Sequence, residues 1–409
     1  MFVDRRQELA LLDSLLERKY PSPAQFVLMY GRRRVGKTSL LLHWAASTGL
    51  PFSYFPADKG PAALQRKELF ARILGTDVGE APTFESWASC WQTIARFLAD
   101  RRHILILDEF PYVLAADPAA ASALQHAWDH LFQGSQLVLV LSGSHVHTMG
   151  HLQKADSPLF GRFTGQWHLQ PLPFAALREF FPSWSPEERV AAYAIAGGVP
   201  AYLEWLDPTL SLTENIRQVI LVPGSRFVGE PTMLLYDELS EASTHLAIIK
   251  AIGAGGHTLA EISSAALVSK SHLPAYLTRL QELRLVERRL PVTIAPAKRR
   301  LAKSGRYHLA DPYFRFYFRF IHTYRDELAQ RREQLLPAIQ DNLRAFVGAT
   351  AFEELCRQWV VGQARAGDFP FAVQEVGSHW SPGVQVDVVA INWPKREVLL
   401  GECLSLIHI

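Results

Sequence analysis

One eight-residue stretch near the N-terminus constrains this chain more than any other: Gly31-Arg32-Arg33-Arg34-Val35-Gly36-Lys37-Thr38, the pattern G-x-x-x-x-G-K-[ST]. Such a loop serves a densely negative ligand. Glycines let backbone N–H groups wrap phosphate oxygens, the lysine reaches the outer phosphates, and the adjacent hydroxyl is a ligand for Mg²⁺. The flanks supply the context the loop needs. Phe26 to Tyr30 is a short apolar run that predicts a buried strand, and Ser39-Leu40-Leu41-Leu42-His43-Trp44 opens a helix whose N-terminal dipole faces the phosphates. The expected nucleotide-binding set is therefore Gly31 through Ser39, with Lys37 on the β and γ oxygens and Thr38 on the metal.

A second motif fits the first. Ile104-Leu105-Ile106-Leu107-Asp108-Glu109 predicts a buried parallel strand that delivers two carboxylates to its C-terminal end, where ligands bind in open α/β sheets. Asp108 is expected to hold Mg²⁺, directly or through water, and Glu109 to orient and polarise the attacking water. A third apolar run, Leu137 to Leu141, ends in Ser142-Gly143-Ser144. Two roles stay open for Ser144: a sensor of the γ-phosphate, or a serine satisfied within its own turn.

The chain has 409 residues, room for two to four domains, and a net charge of only +2. No global field draws it to nucleic acid, so any such binding must come from local patches. Cys90, Cys356 and Cys403 form no C-x-x-C pair, and the odd number argues against a disulfide framework. A reducing, cytoplasmic setting is expected. Asp4, Arg5, Arg6 and Glu8 stand where a signal peptide needs apolar residues, and no apolar run approaches about 18 residues, so no membrane span is expected.

Along the chain, Asp4 to about Lys19 predicts a helix capped by Asp4 and closed by Tyr20-Pro21. Strands at 26–30, 52–56, 103–107 and 137–141 then alternate with helices at 37–47, 62–74, 84–99 and 119–132, the rhythm of a doubly wound parallel sheet. Pro171 and Pro173 mark a boundary, and 174–222 reads as helical. Further on, an apolar helix around Leu246 to Ile252, a short helix from Thr258 and a third from Lys270 to Leu283 precede two strands, 285–290 and 306–309, joined by a basic hairpin. Three helices and a two-stranded wing predict a winged helix. The aromatic stretch 311–325 reads as a packed helix with Arg315 and Arg319 on one side.

These motifs, in order, resemble the archaeal-type ATPase family, a branch of the AAA-like and STAND-related P-loop ATPases. The residues that carry the resemblance are Phe2 to Leu9, the loop 31–39, Leu107-Asp108-Glu109-Phe110-Pro111-Tyr112, Ser142-Gly143-Ser144, Ser157 to Arg162, and Gly197-Gly198-Val199-Pro200. The resemblance implies ATP as the nucleotide, a helical lid with Pro200 near the adenine, and Arg162 as an arginine finger; a loop-to-acid tether is the other role open to Arg162. It also implies a C-terminal DUF234-type domain similar to the PD-(D/E)xK nuclease fold, with Glu353 on a helix, Asp387 on a strand and Glu402 on the next. Two such acids can bind Mg²⁺ and activate water. The lysine of that fold falls at position 404, which is leucine here.

The expected architecture is thus α/β: a P-loop NTPase core over 1–170, a helical lid over 171–238, a winged helix over 239–325 and a truncated nuclease-like domain over 326–409. Truncation is expected because Leu404-Ser405-Leu406-Ile407-His408-Ile409 is encodable by CTG TCT CTT ATA CAC ATC, a string that matches a transposon-end adapter. A native locus encoding this hexapeptide refutes that expectation. Two functional readings follow. In the first, Mg²⁺-dependent ATP hydrolysis drives a switch coupled to double-stranded DNA through Lys270, His272, Arg279, Lys298, Arg299 and Arg300. In the second, a STAND-like regulatory ATPase acts on a protein partner, with the C-terminal domain a scaffold or degenerate nuclease.

Overall fold

Strands with no polar interruption must have both faces covered, and the apolar runs of this chain meet that condition inside a parallel sheet. A computed structural model describes residues 2–18, 22–99, 101–238 and 242–404. The chain divides into two units, Met1–Leu172 and Pro173–Ile409. The first runs α1 (Arg6–Glu17), β1 (Gln25–Tyr30), α2 (Lys37–Ser47), β2 (Phe52–Pro56), α3 (Ala62–Leu74), α4 (Trp87–Leu98), β3 (His103–Asp108), α5 (Phe110–Ala116), α6 (Ala120–Ala127), β4 (Leu137–Gly143), α7 (Val146–His151) and β5 (Gly165–His168).

The five strands lie in the order β2-β3-β4-β1-β5, all parallel. Alternate side chains feed opposite faces. Phe26, Leu28, Leu105, Leu107 and Leu139 pack with Trp91 of α4 and Leu124 of α6. Val27, Met29, Ile104, Ile106, Val138 and Val140 pack with Leu40, Leu41 and Trp44 of α2 and Leu12 and Leu15 of α1. This two-sided burial places the C-terminal tips of β1, β3 and β4 side by side.

Two local expectations fail. Asp4 does not cap α1: the capping position is Arg5, left-handed at φ 67°, and no side chain caps the helix. The helix expected over 119–132 is α6 followed by a wider turn over Trp128–Phe132. The expected close at Tyr20-Pro21 lies outside the described residues.

The second unit runs α8 (Leu177–Phe180), α9 (Pro186–Ala196), α10 (Pro200–Glu204), α11 (Leu212–Asn215), α12 (Arg226–Glu238), α13 (Ala242–Gly253), α14 (Leu259–Ala266), α15 (Leu273–Glu282), β6 (Val286–Arg289), β7 (Arg306–Leu309), α16 (Pro312–Phe316), α17 (Leu328–Val347), α18 (Glu353–Ala366), β8 (Glu375–Ser381), β9 (Val384–Asn392) and β10 (Glu397–Gly401). Reciprocal capping boxes start three of these helices: Ser185 with Glu188, Ser211 with Glu214, Thr258 with Glu261. β6 and β7 pair antiparallel, and β8, β9 and β10 form an antiparallel sheet. Tyr313, Phe314, Phe316, Tyr317 and Phe318 are buried, so the aromatic stretch is core.

Three details here differ from the sequence reading. Lys270 lies in the turn before α15 rather than on it. Glu402 lies just past β10 rather than on the strand. The connection between β6 and β7 is no simple hairpin, since it folds into a tight turn over Pro296–Leu301. Leu404 is exposed, and residues 405–409, on which the expected truncation rests, lie outside the described residues.

Candidate functional site

The loop between β1 and α2 needs backbone that most residues avoid. Gly36, the capping position of α2, sits at φ 94°, open to glycine and strained for any other residue. Arg34 holds φ 65° and Glu109 φ 52°, so the loop and the acidic strand tip each carry a left-handed non-glycine residue. Strain of this kind persists only where surrounding structure enforces it. Part of that enforcement comes from Arg5, buried on the N-terminal side, which donates to the carbonyls of Val35 and Gln170 at 2.8 Å each.

Lys37 turns inward. Its Nζ donates to the carbonyls of Gly31 (2.9 Å) and Arg32 (3.1 Å) and to Ser144 Oγ (2.8 Å). Burial pulls its pKa down to about 8, against the opposing pull of the Glu109 and Asp108 carboxylates. Ser144 in turn donates to Glu109, Oγ to Oε1 at 2.5 Å and N–H to Oε2 at 3.0 Å. Thr38 Oγ1 donates to Asp108 Oδ2 at 2.5 Å. Residues from the loop, β3 and the end of β4 therefore form one connected polar cluster, and each reached it as the C-terminal tip of a strand or the start of a helix.

Two tyrosines near this cluster gained no role in the sequence reading, Tyr54 going unnoticed and Tyr112 entering only as part of the motif 107–112. Tyr54 on β2 donates to Asp108 Oδ2 at 3.1 Å, and burial, with Asp108 second, raises its pKa. Tyr112 accepts from Arg33 Nη2 at 3.1 Å. Tyr54 sits in an ordinary-looking β-strand, Phe52-Ser53-Tyr54-Phe55-Pro56, and only the parallel pairing of β2 with β3 brings it to the acid. Arg32, Arg34 and Ser39 belong to the loop and helix start as expected.

Arg162 is engaged by an acid of its own chain. Its Nε and Nη2 grip both oxygens of Asp129, Nε to Oδ1 at 2.9 Å and Nη2 to Oδ2 at 2.7 Å, and its Nη1 donates to the carbonyls of Pro158 and Phe160. The guanidinium is spent as a tether between its loop and the turn after α6. Pro200 opens α10 in the second unit.

The donor set suits a magnesium-bound triphosphate. A buried ammonium, a run of loop N–H groups at a helix start, and a hydroxyl beside a carboxylate are what phosphate oxygens and a hard cation require. Among the described residues no group of three His, Cys, Asp or Glu side chains is placed to hold a metal. That includes the C-terminal acids. Burial first, and Asp387 second, push the carboxyl pKa values of Glu353 and Glu402 upward. Arg357 is wedged among them, donating to Glu353 Oε2 at 3.4 Å and to the Asp387 carbonyl at 2.9 Å.

The basic candidates fall into two sets. Lys270, His272, Arg279, Lys298 and Arg300 are exposed. Arg279 pairs with Glu282 at 3.2 Å. Arg299 forms a two-pronged ion pair with Glu375, Nη1 to Oε1 at 2.8 Å, and so is not offered to solvent as a free cation.

A parallel five-stranded sheet with this loop and these strand-tip acids defines a P-loop nucleoside triphosphatase. Residues 2–206 match the ATPase domain predominantly from Archaea, and residues 317–404 match a family of archaeal and bacterial proteins of unknown function, DUF234. The chain is 31% identical over 405 residues to Uncharacterized protein MJECL04 of Methanocaldococcus jannaschii, covering 98% of this chain and 87% of that protein. It belongs to this archaeal ATPase family and is an ATPase. Among solved structures, the Walker-type ATPase PABY2304 of Pyrococcus abyssi shares the fold, with a TM-score of 0.52 and 20% identity over 78% of this chain and 96% of that one. The ADP form of the Aeropyrum pernix ORC2 protein aligns at a TM-score of 0.44 and 17% identity, over 83% and 95% of the two chains. Among the described residues no helix is long and apolar enough to cross a membrane.

Proposed function

We infer that this ATPase works on a magnesium–ATP complex at the loop 31–39 and couples its turnover to duplex DNA through a winged helix. The observation that carries the reading is the linked cluster of Lys37, Ser144 and Glu109 beside the Thr38–Asp108 pair. Lys37 would hold the β and γ oxygens, and Thr38 and Asp108 would hold the cation. Magnesium, when bound, neutralises charge on those phosphate oxygens. Glu109 orients the attacking water and draws on its proton. Ser144, between Lys37 and Glu109, reports the γ-phosphate to the carboxylate.

The DNA half rests on α13 to α15 with β6 and β7, the element order of a winged helix, and on the exposed cations at 270, 272, 279, 298 and 300. The C-terminal acids are read as a scaffold rather than a nuclease, because Arg357 lies among them. ATP turnover by the full chain, with and without magnesium and duplex, tests the whole reading. Calorimetry with ATP and magnesium that detects no heat overturns it. A rate indifferent to duplex, together with capture of a protein partner, favours a STAND-like switch instead.

A further inference from the structure

The connection between β6 and β7 is tied to the C-terminal sheet by contacts along its length. Val292 donates its N–H to the Ser378 carbonyl at 2.9 Å and packs with Val389 and Ile391. Thr293 Oγ1 meets His379 Nδ1 at 2.7 Å, and Trp380 Nε1 donates to the Ser304 carbonyl at 3.0 Å. Gly377 permits the approach, since a Cβ there would stand 2.8 Å from that of Val292. At the centre, Glu375 takes both prongs of Arg299 and accepts from Trp393 Nε1 at 2.9 Å, while Arg299 Nε closes back on the Ile294 carbonyl at 2.9 Å. The tip beyond this anchor faces outward: Lys298, Arg300 and Lys303 are exposed, and Leu301 between them is 84% exposed.

We propose that the C-terminal sheet is a clamp for this wing, in which Glu375 positions Arg299 so that Lys298, Arg300 and Lys303 form a fixed cationic edge for the phosphate backbone of duplex DNA. The inference rests on the DNA reading above and gives the C-terminal domain a role in it. The buried Val292 and its backbone bond to β8 favour a permanent support over a latch that opens. A tip already ordered does not lose side-chain and loop freedom on binding, which strengthens its grip.

Two readouts on the full chain separate the clamp from its ligand. Limited trypsin digestion probes cleavage after Lys298, Arg299, Arg300 and Lys303 without DNA. Equilibrium binding to a random-sequence duplex probes the surface. Glu375→Gln keeps the side-chain volume and removes the charge. It should expose the wing to trypsin and weaken duplex binding roughly five-fold, the cost of ordering one long side chain. The reversed pair Arg299→Glu with Glu375→Arg should restore protection even if the single variant unfolds, which thermal melting would register. Unaltered cleavage in Glu375→Gln overturns the clamp. Faster cleavage with tighter duplex binding overturns it too, showing a latch. A wild-type chain that binds no duplex overturns the DNA reading and the surface's role, while the trypsin result still decides whether the wing is clamped.

Discussion

Ser144 donates both its hydroxyl and its backbone N–H to the carboxylate of Glu109, at 2.5 and 3.0 Å. The carboxylate proposed to polarise the attacking water is thus held by the same serine that accepts from Lys37. On the proposed mechanism, a γ-phosphate drawing on Lys37 and Ser144 would loosen that hold and free the carboxylate when substrate is in place. Glu109→Gln should bind ATP normally and hydrolyse it about 10²-fold more slowly, the usual yield of a positioned base. Nucleotide binding and single-turnover hydrolysis, measured together, check this; a wild-type rate in the variant would remove Glu109 from the role. Ser144→Ala should keep affinity and lose roughly ten-fold in rate, because one donor to the carboxylate remains.

Lys37 supplies the pH signature. Its pKa of about 8 lies below the ordinary 10.5 because burial disfavours the ammonium. Between these values the unfolded chain holds more protons than the folded one, so this group adds stability as pH rises through that window. ATP binding works in the opposite sense. Phosphate oxygens favour the ammonium, so binding above pH 8 takes up a proton, and affinity falls as pH rises. Calorimetry in two buffers of different ionisation heat measures that proton directly. Lys37→Met should abolish the uptake and the binding, yet melt no lower than the wild type without nucleotide.

How much of this was readable beforehand depends on distance along the chain. The loop, β1, α2 and Asp108-Glu109 announce themselves because each is local: an apolar run, then glycines or acids at its tip. β5 was missed, since Gly165-Gln166-Trp167-His168 has no apolar run and becomes a strand only by pairing with β1. Tyr54 joins the site through β2–β3 register, which no local pattern encodes. The partners of Arg162 and Arg299, Asp129 and Glu375, lie 33 and 76 positions away, so Arg162's tether had no named acid and Arg299 read as a DNA contact until the fold supplied both acids.

That Arg162 pair yields a sharp contrast. A finger contributes about 10³-fold or more to hydrolysis, whereas a partly exposed tether contributes about 1 kcal/mol to stability. Arg162→Ala should therefore slow ATP turnover by less than about ten-fold. Arg162→Ala and Asp129→Ala should each lower stability by about 1 kcal/mol, and the double variant should cost less than the two singles added. A thousand-fold loss of turnover with unchanged melting would return Arg162 to the finger role.

Arg315 should be the costliest charge to remove from the second unit. It lies 13% exposed, 3.5 Å from Glu287 of β6 and 3.7 Å from Glu354 of α18. It also donates to the carbonyls of Leu309 and Ala310 at 2.6 and 3.3 Å, fixing the end of β7. Removing it leaves two backbone acceptors unpaired and takes from Glu287 and Glu354 one of the two arginines they share, Arg289 being the other. Arg315→Ala should cost about 2 kcal/mol, chiefly for the backbone acceptors left without a donor. Arg315→Met should cost less, because much of the arginine's contribution is the packing of its aliphatic stem. Urea titration followed by circular dichroism ranks the two, and equal losses would mean that charge alone, not volume, secures this junction.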